Sequence, residues 1–111
     1  MKYQVVLSSE GRTTIEEQME WYGSDEKHGG AELASKWLDK LQPAVASLSE
    51  MPAKHGLAPE NKRWHPELEI RQMLFRPWKS GVGWRVLFAI DEAAHVVTIL
   101  QIRHERRPWV A

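Results

Sequence analysis

The chain contains no cysteine, has no long apolar run and carries a formal net charge of zero at pH 7. The absence of cysteine excludes a disulfide scaffold and cysteine-based zinc sites, and it is compatible with a reducing cytoplasm. The first apolar run, residues 5–7, is too short for the core of a signal peptide, and no later run is long enough to span a bilayer. We therefore expect a cytoplasmic protein that contacts no membrane.

Phosphate-binding glycine loops and nucleophile elbows are also absent from the sequence. The segment HPELE at residues 65–69 matches no recognised spacing of metal ligands. We expect neither a metal nor a cofactor. With 111 residues, of which 42% are hydrophobic and 27% charged, the composition is typical of a single globular domain that spans residues 1–111.

The charges are unevenly divided, although they sum to zero. Residues 1–60 carry six Lys and Arg against ten Asp and Glu, whereas residues 61–111 carry nine against five. A polyanion responds to the local field of a surface rather than to the total charge of the protein. The second half of the chain is therefore a candidate contact surface for nucleic acid.

The first 30 residues predict a strand and a helix. Alternating apolar side chains indicate a strand at residues 3–7. Thr14 and Glu17 form a capping box, a pair of side chains that satisfies two amides at the start of a helix. We therefore expect a first helix from about Thr14 to Tyr22, followed by a glycine-bounded connection at residues 23–30.

An apolar stripe from Leu33 to Leu48 predicts a second, longer helix. Pro43 lies inside it, and a proline in a helix interior removes one hydrogen bond and clashes with the preceding turn. We expect either a kink near residues 39–40, or two shorter helices with Pro43 in the first turn of the second. A turn-rich loop should follow at residues 51–66. Two tryptophans should pack in or near the core: Trp21 and Trp37.

Three strands are predicted at residues 68–75, 84–90 and 96–104. In each, an arginine lies on the opposite side of the alternation from most aliphatic residues. The larger apolar set should meet the helices; it includes Leu74, Phe88, Leu100 and Ile102. The other face should stay open and carry these residues: Glu69, Arg71, Arg85, Gln101 and Arg103. His104 has the alternation of the core side. The element order β-α-α-β-β-β predicts a two-layer α+β fold, a mainly antiparallel sheet covered on one side by a helical hairpin.

These segments resemble the RelE/ParE superfamily of bacterial type II toxin-antitoxin toxins, and more closely its ParE-like branch. The resemblance covers most of the chain and is most specific in WRVLFAID, followed by an aliphatic strand that ends in IRHERR. It implies one of two actions: cleavage of messenger RNA in the ribosome, or inhibition of DNA gyrase. It also implies a cognate antitoxin that covers the helical hairpin and an edge or face of the sheet. A homodimer and a toxin-antitoxin hetero-oligomer are both compatible with the family.

The resemblance also implies a role for the arginines. Arg85 matches the residue that contacts the scissile phosphate in RNA-cutting members, and Arg71 matches a basic residue on the preceding strand. Arg103 or Arg106 lies near their last basic position. On this view, replacing Arg85 with alanine should abolish messenger cleavage and leave the fold intact.

A ribonuclease would also need a base, because arginine stays protonated and transfers protons poorly. The two candidates are His104 and Glu69. The alternative for His104 is a structural role, and the alternative for Glu69 is a cross-strand ion pair with Arg71. Several ribonuclease members carry a catalytic tyrosine near the C-terminus that this chain lacks, which favours the gyrase inhibitor. The gyrase hypothesis places target contacts on Arg103, Arg106, Arg107 and Trp109. A third hypothesis is an inactive member that binds its antitoxin and helps to repress their shared operon.

Overall fold

The computed structural model describes residues 2–24, 30–63, 67–78 and 83–105. Its helices and strands, in chain order, are β1 (Gln4–Leu7), α1 (Ser9–Gly23), α2 (Gly30–Ala46), β2 (Arg71–Phe75), β3 (Trp84–Asp91) and β4 (Val96–His104). The strands form one sheet in the order β1-β4-β3-β2, in which β1 runs parallel to β4 and the other pairs are antiparallel. This confirms the predicted α+β order. Neither described helix is long and apolar enough to cross a membrane.

The core lies between the two helices and one face of the sheet. Its centre is Trp37 of α2, which has no exposed surface and whose ring lies edge-on to Phe75 and Trp84 at centroid distances of 6.0 and 5.9 Å. The expectation for Trp37 is confirmed. The expectation for Trp21 was wrong, because α1 turns the neighbouring Tyr22 to the core and leaves Trp21 61% exposed.

α1 begins at Ser9, well before the predicted start at Thr14. Ser8 is the N-cap, and its Oγ accepts a hydrogen bond from the Gly11 amide at 2.9 Å. Thr14 lies inside the helix, where its hydroxyl donates to the carbonyl of Gly11 and accepts from the amide of Ile102, both at 2.9 Å. The predicted start was wrong because the hydroxyl of Thr14 is used to hold α1 against β4, not to cap a helix.

A β-bulge divides β4 at Leu100. The pairs Leu87–Gln101 and Phe88–Ile99 on either side leave Leu100 as an extra residue in β4. An extra residue reverses which side chains point to each face of a sheet. The faces predicted for residues 96–100, Leu100 included, were therefore wrong, since Val97 and Ile99 turn to the core, whereas the faces predicted for the residues after the bulge are right.

The first turns of α1 cover the edge of β4 where β1 has already ended. The amide of Ser8 donates to the carbonyl of Ile99 at 3.0 Å, and the same carbonyl accepts from Ser8 Oγ at 2.8 Å. A Cβ on Gly11 would lie 2.5 Å from that oxygen, so only glycine allows the helix to approach this closely. The contact protects a strand edge that would otherwise be open to pairing with another chain.

α2 is one continuous helix from Gly30 to Ala46 that includes Pro43. The alternative of two shorter helices was wrong. Pro43 lies in the last turn of α2, so its missing amide removes a hydrogen bond only near the helix end. The kink near residues 39–40 stays a prediction. Two 3₁₀ turns follow, at Ser47–Ser49 and Pro52–Lys54.

Candidate functional site

Arg85 and Arg103 are neighbours on the face of the sheet opposite the main core, here called the far face. Arg85 is paired with Leu74 of β2 and with Arg103 of β4. Opposed residues of an antiparallel pair have side chains on the same face. His104 is paired with Trp84 on the helix side, and the two rings lie 5.6 Å apart. These placements confirm the predicted faces of Arg85, Arg103 and His104.

Arg71 does not belong to the far face. It is paired with the core residue Phe88, and its Nη1 donates to the carbonyl of His55 at 2.6 Å. Its Nη2 lies 3.6 Å from Glu69 Oε1, so the ion pair expected for Glu69 is present. The pair joins two residues that are close in the sequence and does not cross between strands. The predicted face of three arginines was therefore wrong.

The error in β2 concerns the whole strand. Met73 and Phe75 turn to the core, whereas Leu74 lies on the far face and is 52% exposed. The alternation of β2 places apolar residues on both sides, and the larger side chains Met73 and Phe75 take the core side against Trp37 and its neighbours. Arg71 shares their side of the strand.

Arg85 is buried and held by a carboxylate. Its Nη1 and Nη2 donate to the two oxygens of Glu60 at 2.8 and 2.6 Å, and the side chains of Arg85 and Glu60 are 9% and 12% exposed. Nη1 also donates to Gln72 Oε1 at 3.2 Å. The expectation that Arg85 lies on an open face was wrong. Glu60 was missed because it lies in a loop, where no periodicity shows which way a side chain points.

The loop that precedes β2 covers part of the far face. A second, smaller buried cluster joins this loop to the sheet: Ala58, Ile70 and Leu87, with Leu68 and Leu100 packed against it. The amide of Ala58 donates to the carbonyl of Ile70 at 2.7 Å, and the amide of Ile70 donates to Asn61 Oδ1 at 2.9 Å. The far face therefore has an apolar cover of its own beside Arg85.

Arg103 lies in a polar cleft of about 470 Å³ between α1 and β4. The cleft is also lined by Glu10, Glu17 and Gln101, and Gln101 Nε2 donates to Glu10 Oε2 at 3.3 Å. Arg103 Nε is buried and makes no hydrogen bond to another residue within the described part of the chain. Arg85 is thus ion-paired with Glu60, whereas Arg103 shares its cleft with the side chains of Glu10 and Glu17. Such a mixed-charge surface attracts phosphates less than a purely basic one does.

The residues considered for proton transfer are not brought together. His104 lies on the helix side of the sheet, and Glu69 is exposed beside Arg71. A third residue with acid-base potential, His55, was not considered from the sequence; burial lowers its pKa and the adjacent Lys54 lowers it further. Its ring lies edge-on to Phe88 on the helix side, at 5.9 Å. None of these three residues lies beside Arg85, where the neighbouring carboxylate is that of Glu60, held in the ion pair. The predicted target contacts Arg106, Arg107 and Trp109 lie outside the described residues.

An apolar groove of about 590 Å³ lies between β1, α1 and α2. Most of its lining is aliphatic: Val5, Leu7, Ile15, Leu38, Leu41, Val45 and Ala46. Polar groups are contributed by Arg12, Glu16 and Gln42. Leu7 is 39% exposed at one side of the groove, so its side chain extends the aliphatic lining to the surface. The groove has the form of a docking site for an amphipathic helix or strand.

Comparisons with known proteins agree with this architecture. A family model described as the ParE toxin of type II toxin-antitoxin system, parDE, matches residues 20–109. A search of curated proteins found no match. Among solved structures, the chain is similar to the toxin-antitoxin complex RelBE2 from Mycobacterium tuberculosis, with 17% identity and a TM-score of 0.52. That match covers 96% of this chain and 95% of the other.

Proposed function

The chain belongs to the ParE toxin family of type II toxin-antitoxin systems, and from this premise we propose that it inhibits DNA gyrase through protein contacts and is neutralised by a cognate antitoxin. The observation that carries this proposal is the pairing of Arg85 with Glu60. A ribonuclease would need that guanidinium for a phosphate and a base within hydrogen-bond reach of the reacting hydroxyl. Because gyrase acts on chromosomal DNA, we place the protein in the cytoplasm.

The gyrase contact that we propose begins at Arg103 and continues into Arg106, Arg107 and Trp109. Only Arg103 lies among the described residues, in the cleft beside α1. The other three are included because of the resemblance to the ParE-like branch. A mixed-charge surface followed by a tryptophan six residues further along the chain suits a protein target better than a polyanion.

A gyrase supercoiling assay with purified protein tests this proposal. We expect the protein to block supercoiling. Arg103→Ala should weaken this inhibition about tenfold, the loss expected when one interface arginine makes a moderate contribution to binding. Lys36→Ala is the matched control, because Lys36 is an exposed cation on α2 whose contact is a helical ion pair with Glu32.

Induced expression separates the alternatives. Double-strand breaks with an SOS response support gyrase inhibition, whereas cuts at codon positions in messenger RNA would support the ribonuclease. A folded product without any effect on growth would favour the inactive antitoxin-binding member. Unimpaired supercoiling at saturating protein would contradict the proposed function.

We further propose that the antitoxin places an amphipathic segment in the groove between β1, α1 and α2. Charge alone does not attract it there, because Arg12 and Glu16 compensate each other. The support comes from the exposed Leu7 and from the edge of the sheet beside it. Within the described residues β1 pairs with β4 alone, so its other side offers amides and carbonyls to an added strand.

Leu7→Glu is expected to weaken antitoxin binding about 30-fold, which corresponds to the roughly 2 kcal/mol of an interface hot spot. The variant would place a charge against the aliphatic lining of the groove. Isothermal titration with the antitoxin encoded by the adjacent gene measures the change. Leu57→Glu is the control, because Leu57 is also exposed but lies beside Arg71, at the opposite edge of the sheet. Equal affinity of the two variants would remove the groove from the antitoxin interface.

A further inference from the structure

We propose that Glu60 determines which class of target the far face accepts: it holds the Arg85 guanidinium in place of a phosphate and thereby closes this face to nucleic acid. The proposal goes beyond gyrase inhibition, because it concerns anion binding by the isolated chain. It assigns to one loop carboxylate a role in specificity. The contact between Arg85 and Glu60 has the chemistry of a guanidinium that binds a substrate anion, but both partners belong to the same chain.

The geometry of the pair supports the view that Glu60 takes the place of a phosphate at Arg85. A guanidinium presents two parallel N–H groups that match two oxygens of a carboxylate or of a phosphate equally well. In Arg85 the two terminal nitrogens are both used by Glu60, at 2.8 and 2.6 Å. With side-chain exposures of 9% and 12%, the pair leaves little surface for a competing anion. A phosphate would have to displace Glu60 to reach Arg85.

The loop holds Glu60 in this position. The carbonyl of Glu60 accepts from the Arg63 amide at 3.0 Å, and the neighbouring Asn61 amide donates to the carbonyl of Ala58 at 2.9 Å. Asn61 Oδ1 accepts a hydrogen bond from the amide of Ile70, the residue that directly precedes β2. Because Ala58 and Ile70 are buried together against the sheet, moving Glu60 away would disturb this packing. Glu60 therefore acts as a fixed part of the fold.

Removing only the charge of Glu60 should convert the pair into an anion site. Arg85 would keep its place beside the Gln72 side chain, and Arg103 is its cross-strand neighbour. A buried guanidinium that loses the charge of its carboxylate partner favours an anion that can reach it. The far face would then present the charge of Arg85, which Glu60 compensates in the wild type, beside that of Arg103.

Thermal unfolding of Glu60→Gln in phosphate and in chloride, at equal ionic strength, tests the proposal. We expect no phosphate-specific change for the wild type and an increase of several degrees in the Tm of the variant, since a ligand that binds the folded state stabilises it. A short single-stranded RNA should bind the variant at least about tenfold more tightly than the wild type, with a log-log salt slope of about 0.7 per phosphate held. Glu69→Gln is the control, because it makes the same change of charge at the exposed partner of Arg71.

Two results would overturn the proposal: a wild type that binds phosphate as tightly as Glu60→Gln, or a gain of the same size in Glu69→Gln. If Glu60→Gln does not fold, Glu60→Asp provides the second test, because its side chain is one methylene shorter and brings the carboxylate less close to Arg85. An intermediate gain in phosphate binding is expected for it, and no gain would reject the proposal. Neither readout depends on gyrase, so a failed supercoiling assay leaves this test unchanged.

Discussion

Arg85→Ala is expected to lower the free energy of unfolding by about 3–5 kcal/mol, because it leaves the buried Glu60 carboxylate without its counter-charge. The 9% and 12% exposures of the two side chains mean that little water reaches the pair in the wild type. Urea denaturation followed by circular dichroism measures the change. This result would differ from the expectation drawn from the resemblance, in which Arg85 is removed without harm to the fold.

Arg76→Ala provides the matched control. Arg76 forms an equally short ion pair with Glu105, at 2.7 Å, but its side chain is 53% exposed, and pairs of this kind contribute about 1 kcal/mol or less. The double variant Glu60→Leu with Arg85→Met should recover most of the loss, because an apolar pair of similar size replaces a buried ion pair at little cost. A loss in Arg85→Ala no greater than in Arg76→Ala would contradict the structural role of the pair.

Trp37→Ala is the second substitution with a large expected effect, a loss of about 3–5 kcal/mol. Trp37 joins α2 to the sheet through Phe75 and Trp84 and has no exposed surface, so its removal leaves a cavity at the centre of the core. Thermal unfolding should show a strongly reduced Tm. Trp21→Ala removes the same side chain from an exposed position on α1 and should change stability by no more than about 0.5 kcal/mol. Similar losses in both variants would show that the core is not centred on Trp37.

The order of elements and much of the sheet were predictable because their signals are local. The alternation of β3 correctly placed Arg85 on the far face, and the alternation of β4 after its bulge correctly placed Arg103 and His104. β2 was mispredicted for a physical reason. The loop covers the far face at Leu87, so both faces of the neighbouring strands bury apolar residues, and alternation alone does not identify the core side.

The remaining errors come from contacts between distant parts of the chain. Ser8 and Thr14 both carry hydroxyls suited to capping, and the choice between them depends on Ile99, which is 91 residues from Ser8. The partner of Arg85 is 25 residues away, in a loop without periodic pattern. The arginine of the candidate site was therefore predictable from its strand, whereas the carboxylate that defines its chemistry was not.

The parallel pairing of β1 with β4 also determines when the sheet can be completed during synthesis. β1 leaves the ribosome first and β4 last, yet β4 lies between β1 and β3 in the sheet. Closing a loop of this length is entropically costly, and such distant pairings form late. A nascent chain that stops before Val96 has a β2–β3 hairpin and no strand to which β1 can attach. Interrupted translation therefore yields fragments that lack both the attached β1 wall of the groove and the Arg103 part of the far face, and both form only once β4 has been made.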